Sequence, residues 1–127
     1  MTRADMRILV TGAAGFVGSH VLRRLLANDR FKVAALLRPT SNTQRIDDLL
    51  GRVRRIDGDL RHVDAAEPAI AAFAPDTVLH LAWAGVTNAF RNDPEQIDNV
   101  EATVNLLRLS QRIGVRHWIG LGSQAEY

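Results

Sequence analysis

Apolar residues along the chain follow two alternating patterns: short runs of strand length, and longer segments in which apolar positions recur every three or four residues. The short runs predict five strands, at residues 7–10, 31–37, 53–56, 77–81 and 115–121. The longer segments predict helices at residues 16–27, 44–50, 63–73 and 94–113. The second strand is almost continuously apolar, which is typical of a strand buried on both faces of a parallel sheet.

This alternation predicts an α/β fold, a Rossmann-type doubly wound parallel sheet of about five strands in the order 3-2-1-4-5 with helices on both faces. The sequence shows no linker or internal repeat, so residues 1–127 are expected to belong to one domain. In the last predicted helix, a stripe of apolar residues is expected to face the core: Ile97, Val100, Val104 and Leu107. Ligands of such sheets bind at the carboxyl ends of the strands, so the residues just after each strand are the candidate site.

Three glycines separate the first predicted strand from the first predicted helix. They are Gly12, Gly15 and Gly18. In a strand–turn–helix of this kind the first glycine allows a tight turn, the second lets a pyrophosphate approach the backbone, and the third lets the helix pack closely on the strand. The amides of the first helical turn, which includes Phe16 and Val17, would point at the anion. The turn therefore predicts dinucleotide binding, and a glycine-rich turn without a ligand is the alternative interpretation.

Composition narrows the class of partner. Of the 127 residues, 46% are hydrophobic and 24% are charged, and the formal net charge is +2. The small net charge and the scattered arginines give no reason to expect a nucleic-acid partner, and no window reaches the apolar length of a membrane span. The absence of cysteine excludes disulfides, thiolate zinc sites and cysteine nucleophiles, and it is compatible with the cytoplasmic location that we expect. The four histidines fall in separate predicted elements, so no metal site is expected.

Five sequence features resemble those of one enzyme family. They are Thr-Gly-x-x-Gly-x-x-Gly at residues 11–18, Gly58-Asp59-Leu60, His80-Leu81-Ala82, Asp98-Asn99-Val100, and the segment from Gly122-Ser123 to Tyr127. The first four, in order and spacing, resemble the N-terminal part of an extended short-chain dehydrogenase/reductase, in the nucleotide-sugar epimerase/dehydratase family, and the fifth resembles the serine segment of that family. The resemblance extends over essentially the whole chain. It implies an enzyme that uses NAD(P) to transfer a hydride to or from a carbon of a nucleotide-sugar substrate.

Two strand ends carry candidates for the adenosine half of the cofactor. Arg38 lies about twenty residues after the last glycine, where an arginine suits the 2′-phosphate of NADP and a carboxylate would suit the 2′-hydroxyl of NAD. NADP is therefore favoured, although a solvated loop arginine is the alternative, and in the family such an arginine can lie against the adenine of either cofactor. The resemblance implies that Asp59 accepts a hydrogen bond from the adenine amino group beside the Leu60 backbone. A helix-capping aspartate is the alternative interpretation.

The remaining candidates follow the fourth and fifth strands or lie in the last helix. Three of them are Leu81, Ala82 and Trp83, which are expected beside the ribose and pyrophosphate of the cofactor. Trp83 either stacks on a ligand or covers the end of the sheet, and His80 is interpreted as a core histidine. The resemblance implies that Asn99 supports the cofactor pocket, and that Ser123 is the catalytic residue whose hydroxyl binds a substrate oxygen. The alternative for Asn99 is an ordinary solvated polar residue, and the alternative for Ser123 is a serine in a turn without a catalytic role.

The Tyr-x-x-x-Lys pair of the family is absent from this sequence. Tyr127 is the only tyrosine, and Lys32, the only lysine, lies in the second predicted strand. We therefore expect a fragment of a full enzyme, without its C-terminal substrate domain, that binds a dinucleotide weakly and is inactive alone. The resemblance also implies that the full-length protein can form a homodimer through its long helix. Two alternatives stay open: a non-enzymatic NAD(P)-sensing regulatory module, and a structural Rossmann-like subunit without dinucleotide affinity.

Overall fold

The computed structural model describes residues 5–83, 94 and 96–122, and the strands of this part form one parallel sheet. The strands are β1 (Met6–Thr11), β2 (Phe31–Leu37), β3 (Arg54–Asp57), β4 (Thr77–His80) and β5 (His117–Gly120). Their order is β3-β2-β1-β4-β5, and each neighbouring pair is parallel. The predicted fold class and strand order are confirmed. β1 is the central strand, so its carboxyl end lies between those of β2 and β4.

Helices connect the strands. The α-helices of the described part are α1 (Phe16–Leu26), α2 (Glu67–Phe73) and α3 (Gln96–Arg112), and two further segments are 3-10 helices, Gln44–Arg52 and Leu60–Ala66. The helix predicted at residues 63–73 is α-helical only in its second half. Pro68 lies in the first turn of α2, where its missing N–H and fixed φ are tolerated, so a new helix starts there.

Two clusters of buried apolar residues lie on opposite faces of the sheet. Along β1, Leu9 belongs to one cluster while Ile8 and Val10 belong to the other, as the two-residue period of a strand requires. Ile70 of α2 and Leu106 of α3 join the cluster of Leu9. The second cluster is completed from α1 and the first 3-10 helix, by Leu22, Leu26, Ile46 and Leu49. Because both faces of β1 are covered, only the residues that follow it are available to a ligand.

The predicted orientation of α3 is wrong. All four residues of the stripe expected in the core are exposed: Ile97 by 65%, Val100 by 54%, Val104 by 39% and Leu107 by 47%. The buried side of the helix consists of Ala102, Leu106, Leu109 and Ser110. Both sides of α3 carry apolar residues at helical spacing, and the buried side includes the small residues Ala102 and Ser110, which allow the helix to approach the sheet closely. The four exposed residues form an outer stripe, which we call the outer face of α3.

Candidate functional site

Steric contacts shape the turn after β1 at two of its three glycines. Gly12 has a φ of 74°, and a Cβ added to it would lie 2.7 Å from the backbone of Leu81 and Ala82. A Cβ on Gly18 would lie 1.8 Å from the carbonyl oxygen of Gly12, so α1 packs directly on the turn. The fold itself therefore requires both glycines, whether or not a ligand binds.

Gly15 stands apart from the other two glycines. Among the described residues, its Cβ would meet only the Gly12 carbonyl oxygen within 4 Å, at 3.3 Å, and Gly15 is exposed. It is the N-cap residue of α1, which has no side-chain cap and no acidic residue in its first turn. The amides of Phe16 and Val17, at the start of the helix, have no intrahelical acceptor. An uncapped helix start with open space at Gly15 is an arrangement that accepts an anion close to the backbone.

Thr11 joins the glycine turn to the end of β4. Its hydroxyl oxygen accepts hydrogen bonds from the backbone amides of Leu81 at 3.1 Å and Ala82 at 3.3 Å. The amide of Leu81 also lies 3.2 Å from the carbonyl oxygen of Thr11. These bonds hold the segment after β4 against Gly12, which explains why that position has no room for a Cβ.

His80, the last residue of β4, is buried and has a partner at each ring nitrogen. Nδ1 lies 2.7 Å from Thr11 Oγ1, and Nε2 lies 3.0 Å from Thr103 Oγ1. Burial lowers the pKa of His80, because desolvation disfavours the charged ring. This environment agrees with the interpretation of His80 as a core histidine. The sequence reasoning did not single out Thr103, although its position four residues after Asn99 places both on one side of the helix.

The first turn of α3 contacts the segment after β4. Trp83 is 44% exposed, and its Nε1 donates to Gln96 Oε1 at 2.7 Å. The same Gln96 oxygen accepts from Asn99 Nδ2 at 2.9 Å. Asn99 is half-buried, and its role in the cofactor pocket stays a prediction. Gln96, which no sequence motif singled out, connects the two.

The candidates after β2 and β3 lie among charged side chains at the surface. Asp59 caps the 3-10 helix Leu60–Ala66 by accepting from the amide of Arg61 at 2.9 Å, and its other oxygen lies 3.0 Å from the Arg61 guanidinium. Hydrogen bonds from Arg61 lower the pKa of Asp59, and the charge of Arg38 lowers it further. The structure thus shows the capping role of Asp59, and an adenine-binding role stays a prediction. Arg38 is exposed, and its backbone is bound by Ser41 and Arg55.

The described candidates form two groups. The first surrounds the glycine turn and continues toward α3: Gly12, Gly15, Phe16, Val17, Gly18, Leu81, Ala82, Trp83 and Asn99. The second follows β2 and β3: Arg38, Asp59 and Leu60. Ser123 and the rest of the segment to Tyr127 lie outside the described residues. Within the described part, no group of His, Cys, Asp or Glu side chains could hold a metal ion, and every helix is too short or too polar to span a bilayer.

Together these features define a Rossmann-type α/β domain whose glycine turn is open to an anion. Residues 8–127 match the model of the NAD dependent epimerase/dehydratase family, and the chain belongs to that family. The resemblance inferred from the sequence motifs is confirmed.

Three relatives show the range of the family. UDP-glucuronic acid decarboxylase 6 of Arabidopsis thaliana is 32% identical over 116 residues, which cover 90% of this chain and 33% of that protein. The dTDP-4-dehydro-6-deoxy-D-allose reductase of Streptomyces sp is 32% identical over an alignment of 129 positions, gaps included, which covers 98% of this chain and 40% of the reductase. The crystal structure of UDP-glucuronic acid 4-epimerase from Bacillus cereus in complex with NAD is 31% identical with a TM-score of 0.73, covering 96% of this chain and 41% of the epimerase. The chain spans roughly a third of the length of several curated relatives that it matches.

Proposed function

We propose that the chain is the dinucleotide-binding portion of an NAD(P)-dependent enzyme that acts on a nucleotide sugar. The observation that carries this proposal is the uncapped start of α1 beside the open position of Gly15. The three relatives named above are a decarboxylase, a reductase and an epimerase, and each name contains a nucleotide sugar. They support the substrate class and leave the reaction type open. They also favour an enzyme over the non-enzymatic sensing module.

In the proposed binding mode, the dinucleotide lies across the carboxyl ends of the strands. The pyrophosphate is bound by the first-turn amides of α1, and the adenosine half extends over the carboxyl ends of β2 and β3 toward Arg38 and Asp59. The nicotinamide half extends toward Trp83 and Asn99. When bound, the dinucleotide supplies the hydride donor or acceptor. In this proposal Ser123 binds the substrate oxygen whose charge changes during the transfer.

Among the two dinucleotides, we propose a preference for NADP. The proposal is supported by Arg38, which is exposed after β2 and whose positive charge lowers the pKa of the neighbouring Asp59. A guanidinium at this position binds a 2′-phosphate through charge-assisted hydrogen bonds.

The cytoplasmic location expected from the sequence stays a prediction.

Self-association is the remaining proposal about partners. Ile97, Val100, Val104 and Leu107 form a continuous apolar stripe on the outer face of α3. Exposed apolar stripes of this kind commonly mark contacts between proteins. We propose that it pairs with a second copy of the chain in the full-length protein. Replacing Val100 and Val104 together by aspartate should convert the dimer of that protein into a monomer in sedimentation experiments, and a wild-type monomer would contradict the pairing.

Dinucleotide binding is tested most directly by NMR titration, which detects weak complexes. NADH and NADPH are added separately to the ¹⁵N-labelled chain, and the amide signals of Gly15, Phe16 and Val17 are followed. We expect these signals to shift in a saturable manner, and to shift less for Gly51, which lies in a 3-10 helix away from the turn. If neither dinucleotide at millimolar concentration moves the signals of the α1 start, the proposed function is wrong.

A further inference from the structure

A chain of hydrogen bonds runs from the end of β4 to α3 through the ring of His80. On one side, Thr11 Oγ1 accepts from two backbone amides of the segment after β4 and lies 2.7 Å from His80 Nδ1. On the other side, His80 Nε2 lies 3.0 Å from Thr103 Oγ1, and the Thr103 hydroxyl donates to the carbonyl oxygen of Asn99 at 2.8 Å. The ring is 6% exposed, so it has little access to water.

The partners of the ring determine which nitrogen carries the proton. Because both acceptor positions of the Thr11 hydroxyl are taken by backbone amides, its own proton is directed to Nδ1, which must be unprotonated. Because the Thr103 hydroxyl donates to Asn99, its oxygen is left to accept from Nε2, which must carry a proton. The two sides of the ring lead independently to the same state, a neutral imidazole protonated on Nε2.

We propose that His80 is a positioning residue for dinucleotide binding, which in this single tautomer sets the distance between the glycine turn and the start of α3. On the first side, the Thr11 hydroxyl that it orients holds the segment after β4 against Gly12. On the second side, Thr103 fixes the turn of α3 that carries Asn99. The inference rests on the proposed function, because it concerns the geometry of that same site.

The geometry explains why no other protonation state of the His80 ring would keep these contacts. A proton on Nδ1 would face a hydroxyl oxygen that already accepts two amides, so the Thr11 contacts would have to rearrange. The described side chains in hydrogen bonds or ring contact with His80 are Thr11, Thr103 and Trp118, which are uncharged and offer no compensation for an imidazolium. Hydrogen bonds that run in one direction along such a chain also strengthen one another.

The tautomer is tested by ¹⁵N NMR of the histidine rings in the unaltered chain without ligand. We expect the His80 signals to show a protonated Nε2 and an unprotonated Nδ1 near neutral pH. His62, whose ring has no hydrogen bond to a described residue, serves as the internal comparison for the ring signals. A His80 ring protonated on Nδ1, or a rapid mixture of both tautomers, would overturn the proposal.

Two substitutions separate the two sides of the ring. His80→Asn keeps an acceptor where Nδ1 stands, whereas His80→Gln keeps a donor where Nε2 stands and loses the acceptor for Thr11. We expect His80→Gln to bind the dinucleotide about tenfold more weakly than the unaltered chain, which is the effect of one lost buried hydrogen bond at the turn. His80→Asn should keep much of the affinity of the unaltered chain. Equal losses in both variants would show that the ring only fills space and would overturn the positioning role.

The outcomes also distinguish this inference from the proposed function. If the unaltered chain binds neither NADH nor NADPH, the proposed function fails whatever the state of the ring. If it binds a dinucleotide and the His80 ring has the wrong tautomer, only the positioning role fails.

Discussion

The carboxyl ends of β1 and β2 are adjacent in the sheet, yet they hold their residues in different ways. After β1, backbone contacts at Gly12 and Gly18 and the buried hydroxyl of Thr11 fix the chain. After β2 and the neighbouring β3, the candidates are Arg38 and Asp59, whose surroundings are exposed charged side chains. The first end has almost no freedom to change, and the second has much more. We infer that the first decides whether a dinucleotide binds and the second decides which one.

The largest effect is expected where a glycine is required by packing. Gly18→Ala places a Cβ on the Gly12 carbonyl oxygen, so α1 must move off the turn, at a cost of about 3 kcal/mol in the free energy of unfolding. Urea denaturation measures this loss. The control is Gly51→Ala, where no described atom lies within 4 Å of the new Cβ and the change should stay within about 0.5 kcal/mol. Similar unfolding midpoints for the two variants would contradict the packing role of Gly18.

Gly15→Ala should separate binding from stability. Its Cβ meets a single backbone oxygen at 3.3 Å, so the unfolding midpoint should change little, while the methyl group occupies the space left for a phosphate. We expect dinucleotide affinity to fall about tenfold, or about 1.4 kcal/mol, in NMR or calorimetric titrations. A variant that binds as tightly as the unaltered chain would remove Gly15 from the site.

At the second strand end the expected effect is smaller and selective. Arg38→Ala should weaken NADPH binding about fivefold, which is near 1 kcal/mol for an exposed charge pair, and should leave NADH binding almost unchanged. Arg24→Ala, which removes the same charge from the exposed last turn of α1, is the matched control. Equal effects of Arg38→Ala on both dinucleotides would place the guanidinium against a part that they share, such as the adenine.

The difference between the two strand ends also explains what the sequence could predict. The glycine turn is a local feature, since strand, glycines and helix follow one another within residues 6–26, and its geometry agrees with the motif. The outer face of α3 shows the limit of periodicity, which detects an apolar stripe but does not say which of two stripes lies against the sheet. The bonds from His80 to Thr11 and Thr103 join residues 69 and 23 positions apart, and spacing along the chain carries no information about such contacts.

Acid should affect the two ends in separate pH ranges, with the smallest effects of the series. The pKa of His80 is lowered from 6.5 by burial, so below pH 6.5 the unfolded chain takes up a proton that the folded chain refuses. The stability contributed by the neutral ring is therefore present above pH 6.5 and decreases as the pH falls from there to the lowered pKa. The pKa of Asp59 is lowered from 3.8 by Arg61, so its contribution is present above pH 3.8 and is lost only below it.

Chemical denaturation at a series of pH values distinguishes the two contributions. His80→Gln should flatten the fall in the free energy of unfolding just below pH 6.5, because its side chain does not titrate, and should leave the fall below pH 3.8 in place. Asp59→Asn should do the reverse, since it removes the carboxylate of the exposed end and leaves the buried ring untouched. If the free energy of unfolding of His80→Gln falls as steeply below pH 6.5 as that of the unaltered chain, the ring is not held neutral by its contacts with β1 and β4. The two strand ends would then differ less in rigidity than their contacts imply.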